Sequence, residues 1–598
     1  MVSDPRPSAK HSLLLLFFIV ACVLSIAPAL PAAPAAAPAS WSREDAAHLL
    51  RRAAFGGTPR QIDRLHAMGR DAAVEYLLTG QPPGGTEPAF APVTLEDFKP
   101  SEDAVADRRE ALKDLTPAER QALIKARGQA EAGQPPPELT PELRRKLQQA
   151  KRTAQMNGRQ DIQRLRAWWV DRMLRTDRPL EEKMTLFWHG LFTSGVREVK
   201  VPLFMVNQNA LLHRHALGNY RKLTHAIVHD PAMLKYLDND RNVVGKPNEN
   251  LGRELLELFT MGEGSGYTEK DIAEVARALT GLAPTPGGVA LVRPKGHDRG
   301  EKTIFGKAGN FGPDDVMDLI FDRPEPSRHL ARRLWEFFAY PEPSDEELKP
   351  VADTLKRSGY ELKPALRALF TSPAFYGEKA RFALIKSPAE LAVSTMRLLE
   401  RRAEEMDVRA IERSLRAMDQ ELLQPPNVRG WVGGDNWITA ATLYTRYNIA
   451  TAMVNGGLPA AVMGRMQKDG KPQAGAKPPG EKPQDAKPQD AKPQAAEPDP
   501  RKLRHKMLER RREADGKTGG AGIEPAKLFA SLGESPPAAQ LVDAAVERFL
   551  QRGLHAGKRQ ALVEVLADAP IRWGDADSDQ RVRQMLGLLL STPEYQVQ

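Results

Sequence analysis

The chain has 598 residues, a formal net charge of +9 from 86 basic and 77 acidic side chains, and one cysteine. That excess is too thinly spread to argue for any charged partner, and a lone cysteine excludes a disulfide framework within the chain. The length is ample for one or two domains of ordinary size, held by their cores alone.

The first elements predict export. Lys10 and His11 precede the apolar run Ser12 to Leu24, and "SIAPALPAAPAAAPAS" follows, so residues 1–40 have the three-part plan of a signal peptide with an Ala/Pro tract. The run is shorter than the roughly 20 apolar residues that cross a bilayer. Small-x-small sites at Ala27-Pro28-Ala29 and Ala33-Pro34-Ala35 offer cleavage points. Cys22, in "IVAC", gives an alternative: a lipoprotein tether, against which the apolar continuation "VLSIAPAL" speaks. The expected address is periplasmic or extracellular, with no transmembrane span in the mature chain. That address sets nucleic acid aside as a partner and leaves surface polysaccharide or anionic wall polymer open.

From 41 to 465 the pattern is that of a main helical domain. Leu49, Leu50, Ala53 and Ala54 recur at helical spacing after Ser42, and Thr58-Pro59 places a capping residue before a proline suited to a first helical position. Residues from about 101 to 160 are charged and poor in large apolar side chains, which predicts exposed helices inserted beside the fold. The core pattern returns at Asp161, with Ile162, Leu165, Trp168, Trp169, Met173 and Leu174 mainly on one helical face. Strand alternation is scarce; "GGVALVRP" (287–294) and "KTIFG" (302–306) predict one small hairpin. The fold class is therefore mainly α, a multi-helical globular domain with at most a small β-hairpin and a long disordered insert. That insert is the Lys/Pro/Gln-rich linker 466–524, whose repeats carry almost no apolar side chains. A C-terminal helical region, 525–598, is expected to pack on the main domain. "LRALFTSPAFY" and "LGLLLSTPEYQ" share a helix end, hydroxyl residues, a proline and an aromatic, the mark of a common helix stop.

Candidate sites concentrate in "YLDNDRNVVGKPNENLGRELLELF". Asp238, Asp240, Asn242 and Glu249 fall at positions 1, 3, 5 and 12 of a window with calcium-loop spacing, but position 6 is the β-branched Val243 instead of glycine. A structural loop competes with this reading, with Asn248 capping the next helix and Glu249 at its positive end. A third reading uses Glu249, Asn250 and Arg253 together for binding or catalysis. Glu249, Arg253 and Glu257 stand at i, i+4 and i+8, the spacing of a salt-bridge ladder, while Glu254 lies on another part of the helix surface. As catalytic candidates we take Glu249, Arg253, Glu254, Glu257 and His189, the last in "FWHGLF" on a helix expected to be buried. Asn248, Asn250, Trp431 and Trp437 are binding candidates; tryptophans amid the polar turn formers of "PPNVRGWVGGDNWIT" suit stacking on sugar rings or, alternatively, a packed loop. His225 and His229 have zinc-type i, i+4 spacing but lack the adjoining glutamate, and read more simply as one solvent-facing and one capping histidine. "MGEGSGYTEKD" reads as turn glycines leading to a Thr268/Asp271 capping box.

Several segments taken together resemble a known bacterial family, domain of unknown function 1800: "HLLRRAAFGGTPRQIDRL", "MTLFWHGLFTSGVREV", "QNALLHRHALGNYRKL", "HDPAMLKYLDNDRN", "KPNENLGRELLELFTMGEGSGYTEKDIAEVARALTG" and "PPNVRGWVGGDNWI". The likeness covers most of 42–455 and the final helix. It implies an exported, mainly helical protein whose gene neighbours one for an exported alkaline phosphatase/sulfatase-superfamily protein, hence a partner of that kind. No activity comes with the resemblance. The expected function is thus a cell-surface or periplasmic scaffold or accessory protein; the alternatives are a carboxylate-dependent hydrolase and a binding module for a surface polymer or polysaccharide. Calcium is the one cofactor the residues suggest, and whether the protein is an enzyme stays open.

Overall fold

Ser42 and Thr58 each open a helix in the way their neighbours dictate. The Asp45 N–H donates to the Ser42 hydroxyl at 3.1 Å while the Asp45 carboxylate takes the Ser42 N–H at 2.9 Å, starting the helix Arg43–Ala53. Thr58 and Gln61 repeat the arrangement ahead of Pro59–Met68. Each reciprocal pair satisfies donors that a bare helix end leaves unpaired. The computed structural model describes residues 41–81, 116–131, 139–401, 407–456, 522–567 and 569–598. Residues 1–40, read above as a signal peptide and including Cys22, and nearly all of the Lys/Pro/Gln-rich stretch lie outside the described residues. Trp41–Gln598 clusters as one compact unit, and among the described residues no helix is long and apolar enough to cross a membrane.

The mainly α reading holds, with two differences of detail. The boundary near 160 is no break in the chain: one helix of 35 residues, Pro141–Arg175, runs through it. Its first half buries only Leu143, and its second half buries Ile162, Leu165, Trp169, Val170 and Met173. The composition shift marks where the helix meets the core. The two expected strand segments also do not pair with each other. Leu282–Pro284 pairs with Ala290–Val292, and Lys302–Ile304 with Lys307–Gly309, making two separate antiparallel hairpins. Each segment has its own turn. Phe305 and Gly306 both take positive φ, 50° and 77°, the geometry of a two-residue loop whose twist matches that of its strands.

The apolar interior forms two clusters. One gathers Trp188, Tyr220, Phe259, Trp335 and Phe370. The other joins Trp169, Met396, Ile449, Leu586 and Tyr595, so the helices Pro388–Leu398, Ala440–Asn455 and Ala576–Leu590 share a core. The last residues add backbone pairing: Lys386 N–H donates to Gln596 O at 2.8 Å and Gln598 N–H to Leu384 O at 2.9 Å. Arg446, fully buried, donates to the Gln596 side chain at 2.8 Å and to Lys386 O at 2.7 Å. The two similar stop segments also behave alike. Each ends a helix and turns through proline to bury its aromatic, Phe375 in one and Tyr595 in the other.

A buried ion pair links the helix Pro179–Leu191 to Pro388–Leu398. Lys183 meets Glu390 at 2.5 Å and also donates to Ala54 O at 3.1 Å. Burial pushes the Glu390 carboxyl up, but the Lys183 charge and hydrogen bond outweigh it and hold the pKa down at about 2.

Candidate functional site

The helix that follows the acidic loop changes pitch partway. Asn250–Glu254 is α-helical and Leu255–Thr260 is a π-turn, where the Met261 N–H reaches back to Leu256 O at 3.0 Å. The Thr260 hydroxyl donates to Leu255 O, and the Tyr220 hydroxyl takes up Phe259 O, which satisfies carbonyls left by the wider turn. Gly252 lets this helix lie against Glu269–Ala278; a Cβ there would meet Ala276 N at 3.2 Å. Beyond the π-turn, Gly262, Gly264 and Gly266 all have positive φ before Thr268 and Asp271 cap the next helix, as the sequence predicts. π-Turns inside helices are frequent at functional sites because the extra residue re-aims the side chains that follow it.

A second close approach brings the tryptophan loop onto this region. Gly430 has φ 77°, and a Cβ on it would lie 2.2 Å from Gly190 O, so the two backbones touch. Arg429 then reaches Glu263 at 3.0 Å. The result is a cleft of about 810 Å³, walled by Trp431 and Val432 on one side, Glu257, Leu258 and Met261 on another, and Arg328, His329 and Asp345 beyond. His329 contacts Leu258 O through Nε2 at 2.9 Å, and burial lowers its pKa to about 4, so the ring is neutral near pH 7. Trp431 leaves its indole Nε1 buried without a hydrogen-bond partner.

Beside the cleft, Glu254 is half-buried and makes no hydrogen bond or ion pair among the described residues. Burial raises its pKa, Glu257 adds to the rise, and Arg429 and Arg253 oppose it. Tyr236 feels the Glu254 charge: burial pushes its phenol up to about 12, with Glu198 and Glu254 contributing. Glu198 in turn accepts from Gln424 at 3.2 Å. Glu254 therefore holds its proton more firmly than an ordinary carboxyl, while Glu257 is tied to Arg253 at 3.1 Å. Two neighbouring carboxyls in unlike settings are the raw material of acid/base work.

The predicted residues scatter around this cleft. Arg253 joins Glu249 at 3.1 Å and Glu257 at 3.1 Å, which is the expected ladder, and adds Glu269 at 2.7 Å. The calcium set is not gathered. Asp238 turns to Arg241 at 3.3 Å and Asp240 to Lys235 at 2.5 Å. Asn242 is buried, donating to Asn239 and Ala276 O and accepting the Asn248 N–H at 2.9 Å. Glu249 is held by Arg253, so these four side chains do not fit a calcium loop. With Val243 where a sharp-turn glycine is needed, Asp238 takes the left-handed conformation and the chain folds around Asn242. Asn248 accepts the Asn250 N–H at 2.9 Å, a capping role one residue ahead of the helix-flanking Glu249, and Asn250 opens the helix.

Two further candidates need correction. His189 is buried and accepts the Leu423 N–H through Nε2 at 3.0 Å; burial, with Arg166 adding, lowers its pKa to about 3. It anchors a loop between Trp169 and Trp431 and is out of reach of a substrate. Trp437 is buried as well, with the Thr442 hydroxyl bonded to its carbonyl at 2.9 Å, so no ring face is left for a sugar. Only Trp431 and Glu257 of the candidates line the cleft. Sequence reasoning passed over Glu198, Tyr236, Glu263, His329 and Arg429. All but His329 lie inside the quoted family-like segments, which was the available signal.

No curated protein and no solved structure matches the chain. The family model described as "Protein of unknown function (DUF1800)" matches residues 48–597, nearly the whole length and every segment that builds the cleft, and the chain belongs to that family.

Proposed function

We propose that this is an exported, non-catalytic accessory protein that works in the periplasm or at the cell surface by docking an exported partner of the alkaline phosphatase/sulfatase superfamily. One observation carries the reading. Val243, Val244, Val289, Leu291 and Val292 are 37–59 % exposed on two adjoining segments, the loop after Asn242 and the first hairpin. The segments are tied together where the Val244 N–H donates to Gly296 O at 2.8 Å and the Gly281 N–H to Asn242 O at 2.8 Å. Exposed aliphatics grouped in this way mark interaction surfaces. The test is co-expression with a sulfatase-superfamily protein from the same genome, followed by size-exclusion chromatography. Wild type should co-elute, and the double variant Val244→Asp, Leu291→Arg should elute alone with an unchanged circular-dichroism spectrum. Co-elution that survives the double variant overturns the reading.

Glu254, beside the cleft, favours a second reading, a carboxylate-dependent hydrolase acting on a surface polymer at the mouth of the Trp431 cleft. Turnover of extracted surface polysaccharide that is lost in Glu254→Gln supports it; turnover equal in both chains removes it.

A further inference from the structure

We propose that His225, His229 and Asp314 form an open, three-ligand site for a first-row divalent metal ion, with zinc the best fit to two imidazoles and one carboxylate. The helix Tyr220–Val228 ends at His229, and the i, i+4 spacing stacks the two rings 6.2 Å apart with planes only 6° from parallel. Asp314 comes from the first turn of a different helix, Pro313–Phe321. Its Oδ1 lies 3.4 Å from His225 Nδ1 and 3.6 Å from His229 Nε2, and the three ligand atoms are all within 4.8 Å of one another.

Those distances are longer than a closed hydrogen-bonded ion pair. A charge-assisted N–H···O bond closes to about 2.7–2.9 Å. Here one oxygen stands off from two ring nitrogens at nearly equal, longer distances. Bonds of about 2.0–2.1 Å to a tetrahedral zinc put neighbouring ligand atoms roughly 3.4 Å apart, close to the 3.4 and 3.6 Å of the two Asp314 edges.

The outer contacts agree. His229 Nδ1 lies 3.0 Å from His225 O, and since a carbonyl can only accept, Nδ1 donates there and Nε2 is the ring nitrogen that faces Asp314. A backbone carbonyl fixing the tautomer in this way is the usual support of a metal-bound histidine. Burial lowers the His225 pKa, with Asp314 opposing. Arg221, the nearest guanidinium on the same helix, is drawn off to Asp318 at 2.5 Å. The Asp314 side chain is largely exposed, so the remaining coordination positions open to solvent or to an incoming group. The trio lines its own depression, separate from the Trp431 cleft in every lining residue.

The test is calorimetric titration of the chelator-treated full chain with zinc at neutral pH, together with the visible spectrum of the cobalt-loaded protein. Saturation at one equivalent is expected, with the intense d–d bands of a low-coordinate site. His229→Gln and Asp314→Asn should each weaken zinc roughly tenfold or more and bleach the cobalt bands, with circular dichroism unchanged because both side chains lie at the surface. Absence of saturable binding, or binding that both variants retain, overturns the site.

Discussion

Two charge clusters in this molecule use the same chemistry with opposite consequences. Around Glu390, Lys183 closes an ion pair sealed from water, with the guanidinium of Arg52 donating to Phe338 O nearby. Around Arg253, three carboxylates share one guanidinium at the surface. Attraction between unit charges grows as the surroundings become less polar, and so does the penalty for leaving one unpaired. The number of ion pairs therefore says little about stability; burial decides.

The largest expected effect comes from breaking the sealed pair from one side. Lys183→Met leaves the buried Glu390 charge without its cation, and should cost about 3–5 kcal/mol in urea unfolding. A loss no greater than that of a surface variant would break the comparison. Next is a pH effect at Lys386, which donates to Tyr595 O at 2.8 Å and lies over that ring. Burial, with Arg51 and Arg446 adding, lowers its pKa from 10.5 to about 7. Between those values the unfolded chain holds a proton that the folded chain has released. Unfolding then takes up a proton, and stability rises as pH climbs from 7 towards 10.5, by an amount on the order of a few kcal/mol. Thermal midpoints at pH 7, 8 and 9 should follow that slope, and Lys386→Met should flatten it. Smallest is Arg253→Ala. Its pairs are exposed and screened, so the midpoint should move within experimental scatter and by less still in 1 M salt; a clear loss would give the ladder a structural weight that its exposure denies.

The same division governs what could be read in advance. The ladder was legible because it lies within one helix, where i, i+4 spacing alone brings Glu249, Arg253 and Glu257 together. The Thr268/Asp271 pair was legible for the same reason, as were the helix starts at Ser42 and Thr58 and the turn glycines after Met261; the reciprocal partners Asp45 and Gln61 were not singled out. Glu390 offers no such signal, since its partner Lys183 is on a helix far away in the chain. The cleft was half legible: its segments were recognisable, but His189 and Trp437 looked available and are buried, while Glu254 was singled out without its neighbours Tyr236 and Glu198.

By itself the sequence determined the helical class, several helix starts, and the positions of the polar loop and the tryptophan turn, because short-range hydrogen bonding and hydrophobic period act over a few residues. Tertiary structure alone decided which of those polar groups meet. It set Gly430 against Gly190, placed Asp314 beside His225 and His229, tied Asn242 to Asn239, Ala276 and Asn248, and left Val244 and Leu291 facing outward. Each of these depends on contacts between residues distant in sequence, which local pattern does not encode.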